Sequence, residues 1–229
     1  YTSNFGCIDS ATKQIRVLEP PVANFGFSIP SCETKMITFT DSSTSSVGTL
    51  TTWIWNFGDG TAPVIRNSPS PFTHIFTNAG TYQVSLLVTS SDGCFSNVKQ
   101  REVVVWPQPV ASFRFTDTAC IPNARISFTN TSSISNGTEN SFVYQWNFGE
   151  PGSGTSNTST ARNPVHTYSS VGPFTVNLRV TSGAGCIHDT SIVVNSIHPQ
   201  PKAAFVFSKP SVCIGDDVVM LDQSDYKDG

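Results

Sequence analysis

The side chains best able to do chemistry recur at a fixed place in a repeat. His74 follows Pro71-Phe72-Thr73, and His166 follows Pro164-Val165. Imidazole is the group best suited to general acid–base work near neutral pH. A catalytic histidine needs a nucleophile within reach and a carboxylate to orient it. No Gly-x-Ser-x-Gly elbow occurs, and the two copies share no carboxylate expected beside the histidine. The expectation is a structural histidine that hydrogen-bonds a turn, and a chain that is not an enzyme. His188 and His198 do not recur and read as surface or junction residues. Asp59 sits in Gly58-Asp59-Gly60, where carboxylate and carbonyl oxygens come together, so it is the calcium candidate. Glu150 is the only acidic residue at the equivalent turn, and no EF-hand-like cluster of Asp is present. Capping of turn N–H groups by Asp59 is therefore expected, with no cofactor. Asp216-Asp217 is a weaker calcium candidate still.

The elements that must position these residues are read from the repeat itself. Trp53, Trp55 and Phe57 alternate with Ile54 and Asn56, the period-two pattern of a strand. Glycines at 58 and 60 and the Asp between them end that strand in a tight turn. The second copy is Tyr144-Gln145-Trp146-Asn147-Phe148-Gly149-Glu150, running on into Pro151-Gly152-Ser153-Gly154 as an inserted turn. Tyr82, Val84, Leu86 and Val88 alternate in the next strand, which turns at Ser90-Ser91-Asp92-Gly93 and returns from Phe95 to Val105. The other copy turns at Gly183-Ala184-Gly185 and returns through Ile192, Val193 and Val194. Trp53, Trp55 and Trp146 could form a sugar-stacking platform. Alternation puts Trp55 and Trp146 into a core instead, with Tyr144 as the counterpart of Trp53. Trp106, at a junction, is expected to pack between neighbouring repeats.

Such a pattern, returning in order, is an internal repeat, and repeats decide architecture. The short junctions Pro20-Pro21-Val22-Ala23, Pro107-Gln108-Pro109-Val110 and Pro199-Gln200-Pro201-Lys202 separate the copies. They divide the chain into 1–20, the end of a preceding repeat; 21–107 and 108–200, two full repeats; and 201–229, the start of a further one. Proline-bracketed junctions this short are stiff and extended, which favours an elongated array.

The 229 residues carry a formal net charge of −3, and 13% are charged, about half the usual share. No basic stripe suits nucleic acid, and no run of about 18 apolar residues suits a membrane span.

The Trp-Asn-Phe-Gly-Asp-Gly strand and turn, then Phe72-Thr73-His74-Ile75-Phe76, then Gly80-Thr81-Tyr82-Gln83-Val84-Ser85-Leu86, resemble the PKD family of extracellular immunoglobulin-like domains. Asn56 stands where that family usually has Asp. The resemblance implies an all-β chain of tandem β-sandwiches with seven strands per repeat. It implies structural roles for Trp55, Phe57, Gly58, Asp59, Gly60, His74 and Tyr82, and for Trp146, Phe148, Gly149 and His166. Tandem copies with a Gly-Cys final hairpin look like the giant surface proteins of Bacteroidetes. That resemblance implies type IX secretion and a part in adhesion or gliding motility, with secretion or motility proteins or surface glycans as partners beside the neighbouring repeats. Asp9-Ser10-Ala11 and Asp117-Thr118-Ala119 resemble the O-glycosylation motif of that phylum, and Asn130, Asn136 and Asn157 head formal N-glycosylation sequons. The alternative is an accessory module of a secreted hydrolase that helps hold polysaccharide or protein substrate.

Six cysteines follow the repeat. Cys32, Cys120 and Cys213 sit between the first two strands, and Cys7, Cys94 and Cys186 begin the last. Regular pairs with long spacings and no Cys-x-x-Cys point to disulfides in an oxidising compartment rather than to zinc. In an immunoglobulin-like sandwich these two places lie at opposite poles, roughly 20 Å apart for strands of about six residues. A disulfide spans at most about 7 Å between Cα atoms. That argues against Cys32–Cys94 and Cys120–Cys186 within repeats, and for a bridge from Cys32 to Cys186. Cys94 and Cys7 would then pair with earlier repeats, and Cys120 and Cys213 with later ones.

Overall fold

The computed structural model describes residues 1–116 and 118–225. Asp117 of the second O-glycosylation-like motif, and 226–229 at the end of the last partial repeat, lie outside the described residues. The chain divides into two compact units, 1–105 and 106–229.

The first unit holds β1 (Phe25–Phe27), β2 (Met36–Asp41), β3 (Leu50–Asn56), β4 (Val64–Arg66), β5 (Phe72–Ile75), β6 (Gly80–Ser90) and β7 (Lys99–Val105). They form a three-stranded sheet in the order β1-β2-β5 and a four-stranded sheet in the order β4-β3-β6-β7, with antiparallel pairs throughout. Alternation does what period two demands. In β6, Val84, Leu86 and Val88 are buried and their neighbours are not. Trp53, Trp55 and Phe57 share the inner face, at 1–3% exposure. The core between the sheets is aromatic: Trp55 meets Phe25 edge-on at 5.0 Å and Phe72 at 5.2 Å, spacings at which ring pairs attract.

The return strand starts later than its sequence implies. Phe95 makes a single bridge to Thr89, and the ladder runs only from Lys99. Ser96 is the reason: it is buried, and its hydroxyl oxygen accepts from Val88 N–H at 3.0 Å, so a side chain takes over the pairing there.

The second unit repeats the plan. Its strands are β8 (Phe113–Phe115), β9 (Ala119–Cys120), β10 (Ala124–Asn130), β11 (Val143–Asn147), β12 (Thr158–Ser159), β13 (Val165–Tyr168), β14 (Phe174–Thr181), β15 (Ile187–Val194) and β16 (Ile197–His198). The sheets are β8-β10-β13 and β12-β11-β14-β15. A short parallel pair, β9 with β16, is added to the seven strands. Trp146, Tyr144 and Phe148 are buried like their counterparts, and Trp146 Nε1 donates to Ala161 O at 2.9 Å.

Beyond it, β17 (Phe205–Phe207) pairs with β18 (Met220–Asp222). Phe205 faces Asp222 as Phe25 faces Asp41 and Phe113 faces Asn130. Asp222 Oδ1 accepts from Ser224 N–H, as Asp41 does from Ser43 and Asn130 from Ser132. A third copy of the opening hairpin is thus in place. At the other end, Ser3-Asn4-Phe5-Gly6-Cys7 forms the closing turn seen at 90–94 and 182–186. In all three the Ser N–H donates to the Cys carbonyl and the Cys N–H to the Ser hydroxyl.

Candidate functional site

The recurring histidine does have a carboxylate partner, contrary to the sequence expectation. His74 Nε2 lies 2.7 Å from Asp59 Oδ2, and His166 Nε2 lies 2.9 Å from Glu150 Oε2. The partner was hidden because it is Asp in one copy and Glu in the other, 15 and 16 residues upstream.

Each part of the arrangement has a local cause. β3 and β11 end where Gly58 and Gly149 adopt φ of +70° and +78°, a region that L side chains avoid. Asn56 Oδ1 accepts from Gly58 N–H and Asn147 Oδ1 from Gly149 N–H, both at 2.9 Å. Asn does this with its carbonyl oxygen, so the usual Asp is not needed. The turn then delivers the carboxylate toward β5 or β13, where histidine occupies matched register positions opposite Ile37 and Ile126. The imidazole stacks on the preceding aromatic: His74 on Phe57 at 3.7 Å and 3°, His166 on Phe148 at 4.5 Å and 11°. Phe76 or Tyr168 closes the other side edge-on. Tyr82 and Phe174 then stack on Phe76 and Tyr168 at 4.5 and 4.3 Å.

The remaining carboxylate oxygen is also occupied. Asp59 Oδ1 accepts from Thr61 N–H at 3.1 Å and from its hydroxyl at 2.6 Å. Glu150 Oε1 accepts from Ser169 N–H at 2.8 Å and from its hydroxyl at 2.7 Å. Burial alone would push both carboxyls up. At Asp59 the Thr61 and His74 bonds outweigh it, and at Glu150 the Ser169 and His166 bonds do, so both are held below the ordinary carboxylate range. An ionised carboxylate only accepts, so Nε2 carries the proton. Tyr168 is pushed up by its own burial and then by the Glu150 charge, and it stays a donor, to Phe148 O at 3.0 Å.

The unit so built is a clamp. Its acid hangs from the four-stranded sheet and its histidine from the three-stranded one. Among the described residues, no three His, Cys, Asp or Glu side chains gather as a metal-ligand set. No helix of the described chain is long and apolar enough to cross a membrane. Cys32 and Cys186 are disulfide-bonded, and Cys7, Cys94, Cys120 and Cys213 carry free thiols. Trp106 is 43% exposed and lines a groove within the second unit.

Two outcomes follow from this geometry. A group whose pKa is depressed by folding contributes stability above its unfolded value and loses it as pH falls through the folded one. Thermal stability should therefore hold above about pH 5 and decline as pH drops through 4 and below. In Asp59→Asn/Glu150→Gln the decline over that range should be shallower, which calorimetry at stepped pH would read. Gly149→Ala should destabilise the second unit by at least about 1–2 kcal/mol from its positive φ alone. The added Cβ would also lie 2.5 Å from Thr175 O, against 2.8 Å from Gln83 O at Gly58, so urea titration should rank Gly149→Ala as the costlier of the two changes.

A family profile described as PKD domain matches residues 18–105 and again 106–197. Over 82 residues the chain is 34% identical to Collagenase ColA of Bacillus cereus, a stretch amounting to 36% of this chain and 8% of the collagenase. Among solved structures, the PKD1 domain of Vibrio anguillarum Epp is 28% identical, covering 39% of this chain and 96% of that one with a TM-score of 0.34. The PKD1 domain of Vibrio cholerae metalloprotease PrtV is 26% identical, covering 38% and 98% with a TM-score of 0.33.

Proposed function

The chain belongs to the PKD domain family, matched over two tandem repeats, and from that premise we propose that it is a non-catalytic extracellular segment of a larger surface protein, serving as a stiff stalk or adhesive array in attachment or gliding. One observation carries the reading. In both repeats the residues best suited to catalysis are consumed by the fold: Nε2 of each histidine and both oxygens of its partner acid are bonded inside the sandwich. Both imidazoles also lie packed inside the sandwich, their side chains 15% and 2% exposed, which leaves a substrate little access to them.

Stiffness comes from the junction chemistry. Pro107-Gln108-Pro109 restricts the backbone between repeats. We assign Cys32 and Cys186 to each other, a bridge that removes freedom from the unfolded chain by about 4–5 kcal/mol for a loop of this order. Disulfides of this kind belong in an oxidising, extracellular setting.

A second reading has its own support. The 34% identity to a collagenase favours an accessory module that holds substrate for a neighbouring hydrolase domain. The intact mass and domain content of the parent protein separate the two. A long run of further repeats supports the stalk. A catalytic domain beside this segment, in a parent not much longer than the two together, overturns it in favour of the accessory module.

A further inference from the structure

The second repeat carries a groove of about 260 Å³ beside Trp106. We propose that this groove is a binding site for one ring of a neutral saccharide, with Trp106 as its stacking platform. Trp106, Ile134 and Ala184 supply apolar surface, while Asn136, Thr138 and Ser141 supply hydroxyl and amide groups. No lining residue is charged. An exposed indole beside uncharged donors and acceptors matches a sugar, whose rings present C–H faces and hydroxyl edges. It gives an acidic or phosphorylated ligand no countercharge.

The polar rim is held in place before any ligand arrives. Thr138 Oγ1 donates to Asn136 Oδ1 at 2.7 Å, so the Asn136 amide N–H groups are left to donate elsewhere. Ser141 Oγ donates to Thr138 O at 2.7 Å and accepts from Gly183 N–H at 3.2 Å. Preset groups lose less freedom on binding.

The groove is an addition to the repeat. The β10–β11 connection spans 131–142, against 42–49 for β2–β3, and the extra length folds as a short 3-10 turn at Glu139–Ser141. In the first repeat the same ground is closed. Glu19 and Asp92 stand where Trp106 and Ala184 stand, and Ser91 and Asp92 press against Gly48, leaving no space even for a Cβ there. The site is independent of which parent the segment belongs to, since a stalk and an accessory module could each use it.

The test is a fluorescence titration of the full chain with cellohexaose, chitohexaose and maltohexaose. Trp53, Trp55 and Trp146 are 1–3% exposed and Trp106 is 43% exposed, so the long-wavelength edge of the emission comes chiefly from Trp106. A saturable blue shift with at least one of the three is expected. Trp106→Ala should weaken binding by about tenfold or more, Trp106→Tyr should restore most of it, and Ser141→Ala should weaken it without changing circular dichroism. No shift with any of the three sugars, a shift that survives in Trp106→Ala, or a shift given only by a hexaproline peptide would each overturn the assignment.

Discussion

Replacing Trp146 by alanine is expected to destabilise the second repeat by about 3–5 kcal/mol, the range for emptying a large aromatic site. The first repeat should keep its native protection. Trp146 is 2% exposed and packs edge-on against Phe113 at 5.0 Å, so its loss leaves a cavity lined by rings that cannot collapse. It also removes the donor to the Ala161 carbonyl. The two cores share no residue, which is why the damage should be local. Trp55→Ala is the mirror experiment. Hydrogen exchange read peptide by peptide should show 106–197 losing protection in one variant and 18–105 in the other. Equal loss in both repeats from either change would mean that the cores are not separate.

The second large effect is at the clamp. His166→Ala should cost about 3–5 kcal/mol, because removing one partner of a buried pair strands the other. The His166 and Glu150 side chains are 2% and 6% exposed, against 15% and 9% for His74 and Asp59, so His74→Ala should cost less. Glu150→Gln alone should also destabilise. The double variant should cost clearly less than the sum, since contacting residues are not additive. Urea denaturation of the four proteins gives the coupling. Strict additivity would mean that the bond between histidine and acid contributes nothing beyond packing on Phe148.

The sandwich was legible because its signals are local. Period-two burial along Trp53-Ile54-Trp55-Asn56-Phe57, glycines at the positive-φ turn positions and Asp-Gly at the hairpin each act over a few residues. The clamp was not legible for the opposite reason. Its two halves lie on different sheets, and the acid changes identity between copies. The trace it left is a nearly constant separation, 15 residues from Asp59 to His74 and 16 from Glu150 to His166. Comparing spacing rather than residue type would have exposed it. The same holds for the serine four residues before Cys7, Cys94 and Cys186, whose hydroxyl closes each turn. The late start of β7 depends on Ser96 turning inward, and the β9–β16 pair joins 119–120 to 197–198 in parallel. Nothing in the local pattern of those residues distinguishes them from a loop.

The proposed staple between the repeats is tested most directly by peptide mapping of the native chain, alkylated and digested without reduction. The expected result is one disulfide-linked pair joining the Cys32 and Cys186 peptides, with Cys94 and Cys120 alkylated as free thiols. Linked pairs Cys32–Cys94 and Cys120–Cys186 would contradict it, leaving two separately closed domains and only the Pro107-Gln108-Pro109 junction to stiffen the chain.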